Sequence, residues 1–462
     1  MNGQTFWPTK GWREALPETQ GLDSQVLAQA IDQRPPGLHS LLVIRHGYVV
    51  LDSYFYPFTP GTVHDAASVT KSIASAIVGV AVDKGLIKTS QPAFPNTKIT
   101  VKNLLTMTPG LECGFRPGEQ ELAGMKLSAN WVEYAMHLPV KYDPGTKFGY
   151  CSPGFHLLSF IVSAAAHMSE LEFGRKYLFE PLGIKDIVWP SDPQGITHGW
   201  GNSHFYPRDL AKIGYLYLHG GQWEGKQILS ADWIRQSISK HADARPNVEY
   251  GYGWWLYNKQ QPRSFEANGR GGQKIIVLPE QDMIVVMTGG GYDASKITPL
   301  IFRSIKSDKP LPRNAEAYKQ LLSTSKDAAK APEPTPAGIV GISFLGRNYT
   351  LEPNSIRLEK ILLRSVENNS SMEVKLTLLG NELTVPIGLR GAYRISPNGP
   401  LQLPIGAMGV WTTEKEFVLD LNFIANINHY TFAMKFYPSY VEIIANEASG
   451  LAKNLKITGK SY

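Results

Sequence analysis

Ser68-Val69-Thr70-Lys71 places a hydroxyl and a primary amine three residues apart, at the head of an almost uncharged run rich in Ala, Ile, Val and Ser. Residues three apart on a helix share a face, so the Lys71 amine can reach the Ser68 hydroxyl. A helix N-terminus favours developing negative charge, and apolar surroundings push an ammonium towards its neutral form. Together these give a nucleophile with its own base. The pattern is short, and roughly two Ser-x-x-Lys matches are expected by chance in a chain of this length. Two others occur, Ser237 to Lys240 and Ser323 to Lys326, and neither opens an apolar helix.

Other residues carry weaker signals. His156, His204 and His241 are of the type a Ser-His-Asp site needs, but no Gly-x-Ser-x-Gly elbow accompanies them. Cys151 reads as a packed thiol rather than a nucleophile, and a bridge from it to Cys113 stays open, since geometry and not spacing decides a disulfide. No Cys-x-x-Cys or His-Glu-x-x-His spacing offers a zinc ligand set, and the Ser-Lys chemistry calls for no metal or organic cofactor.

The elements that must position these residues follow from local pattern. Leu41 to Phe55 reads as a hairpin turning at His46-Gly47, and Ser68 to Val82 as a buried helix closed by Lys84-Gly85. Between Thr100 and Gly220 the segments VKNLLTM, FHLLSFIVSAAAHM and RDLAKIGYLYLHGG have helical spacing broken by Pro-Gly pairs. Tyr252 to Trp255, Lys274 to Pro279 and Met283 to Thr288 read as strands, so one sheet flanked by helices is expected. The Tyr252-Gly253-Trp254-Trp255 aromatics read as core packing. Residues 326–337, KDAAKAPEPTPA, form a semi-rigid linker between a domain of residues 1–325 and one of residues 338–462. The latter's short, regularly spaced β-runs predict an all-β sandwich or barrel.

The 462 residues, 43% hydrophobic and 19% charged, have an ordinary globular composition, and the net charge of +6 comes from 46 basic against 40 acidic residues without a basic run. No nucleic-acid role is expected. No stretch reaches the ~20 apolar residues of a membrane span, and the opening residues lack the pattern of a signal peptide. Compartment and oligomeric state are left open.

Taken in order, AASVTKSIASAIVG, ITVKNLLTMTPGL, PGTKFGYCSPG and GRGGQKIIVLP resemble the successive blocks of the serine β-lactamase and penicillin-binding protein superfamily. The likeness covers about residues 35 to 305. It is closest to the class C β-lactamase-like branch, which includes family VIII esterases, D-amino-acid peptidases and 6-aminohexanoate-dimer hydrolases. The resemblance implies an α+β fold with an antiparallel sheet, flanking helices and an inserted helical region.

The resemblance also implies site residues. Tyr150 takes the place of a tyrosine that shares the proton with Lys71, and Ser152 stands where the branch has Asn, as in the nylon-oligomer hydrolases. Arg270-Gly271-Gly272 replaces a Lys- or His-led block normally carried on an edge strand. Arg270 there is expected to lower the Tyr150 pKa and to pair with a substrate carboxylate, while the glycines admit the acyl group. The Ser68 and Gln273 backbone N–H groups would form an oxyanion hole. The implied function is an esterase or amidase acting on small esters, amides or short peptides. A true β-lactamase, a D-amino-acid peptidase or carboxypeptidase, and a non-catalytic ligand-binding module are the alternatives.

Overall fold

The structure is a computed structural model that describes residues 5–115, 118–333, 342–366 and 371–461. A nine-stranded sheet forms its first part. In chain order the strands are β1 (Arg13–Glu14), β2 (Leu38–Arg45), β3 (Tyr48–Tyr54), β4 (Ala242–Arg245), β5 (Val248–Tyr250), β6 (Trp255–Tyr257), β7 (Ser264–Gly269), β8 (Gln273–Leu278) and β9 (Met283–Gly289). Across the sheet they run β1-β3-β2-β9-β8-β7-β6-β5-β4, antiparallel except for the β1–β3 pair. The β2–β3 hairpin turns at His46 and Gly47, both with positive φ, which suits the twist of the paired strands.

The central strands are apolar on both faces. Leu42, Ile44, Ile275, Val277, Ile284 and Val286 pack into one core, whereas Leu41, Val43, Ile276, Leu278, Val285 and Met287 pack into another. Period-two alternation delivers successive side chains to opposite faces, so strands covered on both sides need the continuous runs seen at 274–279 and 283–288. The first face is covered by α2 (Val69–Asp83) and α4 (Pro207–Leu218), with α3 (Ser152–Ala166) packed behind α2, and the second by α1 (Ser24–Asp32) and α5 (Ala315–Ala328). In α2 every residue from Val69 to Ala81 is buried, and Gly85 follows the helix at φ 73°.

Two stretches differ from the sequence expectation. The strand expected at Tyr252 begins only at Trp255, because Gly253 (φ 78°) turns the chain against α2, where a Cβ would lie 3.0 Å from the Lys71 carbonyl oxygen. Helix α5 runs to Ala328, three residues into the expected linker. Ala328 is buried in the second core and its carbonyl accepts from Tyr56 N–H at 3.0 Å, so the helix gains by continuing. Linker residues 334–337 lie outside the described residues.

The second sheet closes on itself. Its strands are β10 (Tyr349–Leu351), β11 (Leu358–Val366), β12 (Ser371–Leu378), β13 (Asn381–Gly388), β14 (Arg394–Ser396), β15 (Ile405–Thr413), β16 (Glu416–Asn422), β17 (His429–Phe436), β18 (Tyr440–Glu447) and β19 (Leu455–Ser461). Nine of them form a ring, closed by Ile387 and Gly388 of β13 pairing with Ala407 and Met408 of β15, and β14 lies beside β15. The architecture is therefore a barrel and not a sandwich. Strict alternation fills it, with Met372, Val374, Leu376 and Leu378 of β12 facing Phe432, Met434 and Phe436 of β17 within one core.

Candidate active site

Ser68 caps the N-terminus of α2 and is half-buried. Its side chain makes no capping hydrogen bond, which leaves the hydroxyl available. The residue before it, Ala67, has φ 46°, a left-handed conformation costly for a side chain with Cβ. The Asp65 carboxylate holds that turn by accepting from Ala67 N–H at 2.7 Å. Three residues into the helix, the Lys71 ammonium donates to Ser68 Oγ at 2.9 Å and to the Trp200 carbonyl at 2.7 Å. Lys71 is 1% exposed. Burial pushes its pKa down to about 8, against an opposing pull from Glu119. Ser72 Oγ donates to the Gly253 carbonyl at 2.6 Å, fixing the back of this turn against the bend before β6.

Tyr150 comes from the segment leading into α3. The Lys71 ammonium lies 4.8 Å from the centre of its ring, and the Trp255 ring stacks against it. The residue after Tyr150 is fixed covalently, because Cys151 forms a disulfide with Cys113 and is not a free thiol. Gly114 crosses so close to Tyr150 that a Cβ would lie 2.3 Å from its carbonyl oxygen. Burial raises the Tyr150 pKa, the Glu119 charge raises it further, and a hydrogen bond with Ser68 opposes them. The groups that act on this phenol are Glu119 and Ser68, and the Arg270 guanidinium donates to the barrel. At neutral pH the lysine is thus the easier of the two to deprotonate, and the tyrosine keeps its proton.

Ser152 is buried and donates its hydroxyl to the Glu119 carboxylate. The Arg270 guanidinium donates from Nη1 to Ser449 Oγ of the barrel. Arg270 to Gly272 form a short turn ahead of β8, and β8 is an interior strand between β7 and β9, not the expected edge. Gly271 and Gly272 have φ of 78° and 96°. The space a Cβ would take is filled by protein: the Tyr292 ring stands 2.2 Å from it at Gly272, and Ile427 Cγ2 stands 3.1 Å from it at Gly271. The Gln273 side chain links the turn to β9, donating to the carbonyls of Arg270 (3.0 Å) and Gly289 (2.5 Å) and accepting from Gly289 N–H at 2.9 Å.

Glu119, Asp65 and Trp200 therefore belong to this neighbourhood although no motif marks them. Glu119 (φ 48°) caps the helix Gln120–Leu127 and Trp200 lies in the stretch between Val188 and His204, so only the folded chain brings them near Lys71. The other Ser-x-x-Lys pairs are unlike the first. Lys240 pairs with Asp243 at 2.8 Å, and Ser323 donates to Asp327 on the exposed face of α5. The three histidines lie apart: His156 pairs with buried Asp192 at 3.0 Å, His204 meets the Val188 carbonyl, and His241 meets the Gln236 carbonyl. A cavity of about 520 Å³ lined by Asp52, Arg208, Tyr318 and Ser325 contains none of the site residues. No helix among the described residues is long and apolar enough to cross a membrane.

Comparison with known proteins identifies the family and the fold. The 6-aminohexanoate-dimer hydrolase of Paenarthrobacter ureafaciens is 25% identical over 279 residues, which span 54% of this chain and 71% of that protein. Two solved structures share the fold. The hydrolase EstCE1 superposes with a TM-score of 0.52 at 14% identity over 62% of this chain and 99% of its own. A penicillin-binding protein from Bacillus halodurans superposes at 0.50 and 18% identity, over 60% and 98%. The family model described as Beta-lactamase matches residues 24–292, which contain every site residue named above except Ser449. The chain belongs to the beta-lactamase family and is a serine hydrolase.

Proposed function

We propose that the protein hydrolyses small esters, amides or short peptides through a covalent acyl-enzyme on Ser68. The observation that carries this reading is the 2.9 Å contact between Ser68 Oγ and a buried Lys71 amine whose pKa is pushed down to about 8. Lys71 in its neutral form accepts the Ser68 proton as Oγ attacks the acyl carbon. Tyr150, protonated and within hydrogen-bonding reach of Ser68, then passes a proton to the departing alcohol or amine and recovers one from the Lys71 ammonium. Water attacks the acyl-enzyme along the reverse path, and the backbone N–H groups of Ser68 and Gln273 are the proposed oxyanion donors.

The residues around this centre favour open-chain substrates over β-lactams. The buried Ser152 hydroxyl is committed to Glu119, so it is a poor substitute for an amide that would hold a lactam side chain. A fluorophosphonate probe should add one adduct to the intact mass of the wild type and none to Ser68→Ala. Ser68→Ala should also lose turnover of p-nitrophenyl esters, and full residual activity in that variant rejects the assignment. Turnover of a chromogenic cephalosporin well above that of the esters would reverse the substrate ranking.

A further inference from the structure

The barrel does not stand apart from the hydrolase sheet. Its 423–428 loop enters the region behind Ser68, where Ile424, Ala425 and Ile427 are each 1–2% exposed and the Ala425 carbonyl accepts from Asp65 N–H at 2.8 Å. Asp65 is the residue that holds the turn before Ser68. A second barrel segment, at the end of β18, reaches the turn before β8. A Cβ on Gly291 would lie 2.0 Å from the Ala448 carbonyl oxygen, and Gly291 N–H donates to the Gly271 carbonyl at 2.9 Å.

That second contact carries charge. Arg270 Nη1 donates to Ser449 Oγ, and the Ser449 hydroxyl donates at 2.8 Å to the Glu447 carboxylate. Glu447 is 4% exposed and also accepts from Leu451 N–H at 2.9 Å and Asn428 Nδ2 at 3.0 Å. A buried carboxylate held by these donors delivers its charge through one hydroxyl to a guanidinium, fixing that guanidinium by one nitrogen while the rest of it stays exposed. Another cation shares the neighbourhood. Lys126 lies 5.4 Å from the Trp200 ring, on the residue whose carbonyl holds Lys71.

We propose that Glu447 and Ser449 of the barrel are positioning residues for Arg270, and that through it they select substrates bearing a carboxylate. The barrel is in this sense part of the substrate site. The inference rests on the Ser68 hydrolase reading.

The test compares the full chain, Ser449→Ala, Ser449→Thr and Arg270→Gln on three esters. These are 4-nitrophenyl butyrate, the mono-4-nitrophenyl ester of glutaric acid, with a carboxylate on the acyl part, and 3-carboxy-4-nitrophenyl butyrate, with one on the leaving part. The wild type should prefer one carboxylate-bearing ester. Ser449→Ala should lower that preference about tenfold through KM rather than kcat, as loss of one charge-assisted contact predicts. Ser449→Thr keeps the hydroxyl and should restore most of the preference, and Arg270→Gln should abolish it. A wild type indifferent to the carboxylate overturns the proposal, as does a Ser449→Ala effect that falls equally on all three esters or is not rescued by threonine. A wild type that turns over none of the esters and gains no fluorophosphonate adduct overturns the hydrolase reading itself, and is recognised by the missing adduct.

Discussion

Replacing Lys71 by Met tests the central physical claim, that α2 holds an amine where its charge is unwelcome. The pKa falls from 10.5 to about 8, so near pH 7, where the amine is protonated in both states, folding is opposed by about 3 kcal/mol. Because the folded pKa is lowered for a cationic acid, the unfolded chain binds more protons between those two values. The penalty is complete below about pH 8 and fades as pH rises towards 10.5, reaching under about 1 kcal/mol at pH 10. Methionine removes the penalty but strands Ser68 Oγ and the Trp200 carbonyl, which costs about 1 kcal/mol each. Lys71→Met should therefore be slightly more stable than the wild type at pH 7 and slightly less stable at pH 10, while losing about 10²–10⁴ in kcat/KM. Urea unfolding followed by tryptophan fluorescence reads the hydrolase part, since Trp411 alone of the ten tryptophans lies in the barrel. A stability difference between variant and wild type that stays constant from pH 7 to pH 10 would refute the claim that burial disfavours the ammonium.

Two further substitutions probe the same neighbourhood. Glu119→Gln removes the charge that raises both the Lys71 and Tyr150 pKa values, so the rise of kcat/KM with pH should move to lower pH; a rate profile that stays in place or moves upward contradicts the arrangement. Gly253→Ala puts a Cβ 3.0 Å from the Lys71 carbonyl oxygen at φ 78° and should cost about 1–3 kcal/mol together with activity. Gly61→Ala, where nothing lies within 4 Å, is the matched control for thermal denaturation and ester turnover.

Where local pattern decides the structure, the sequence was readable. The β2–β3 hairpin follows from two β-branched runs around His46-Gly47, and α2 from an uncharged run ended by Lys84-Gly85. β8 and β9 follow from apolar runs that only strands buried on both faces require. The bend at Tyr252 to Trp254 was not readable, because an aromatic-rich tetrapeptide reads as strand until α2 is packed against its glycine. The end of α5 was missed for the same kind of reason: a composition rich in Ala, Pro and charge says linker, while the burial of Ala328 is a tertiary fact.

The candidate site divides along the same line. Ser68 and Lys71 are three residues apart, so helix geometry brings them together without help from the rest of the chain. What sets their chemistry lies at a distance. Glu119 enters from the cap of the Gln120–Leu127 helix, Trp200 from the turn before His204, and the partner of Arg270 is 179 positions away in a barrel with no motif of its own. Arg270 shows the consequence most clearly. Its sequence position invites a role beside Tyr150, yet its guanidinium donates to Ser449 Oγ, whose hydroxyl donates in turn to the buried Glu447 carboxylate. In the proposed mechanism Lys71 is the base and Tyr150 keeps its proton, because burial and the Glu119 charge both raise the tyrosine's pKa while burial lowers that of the lysine.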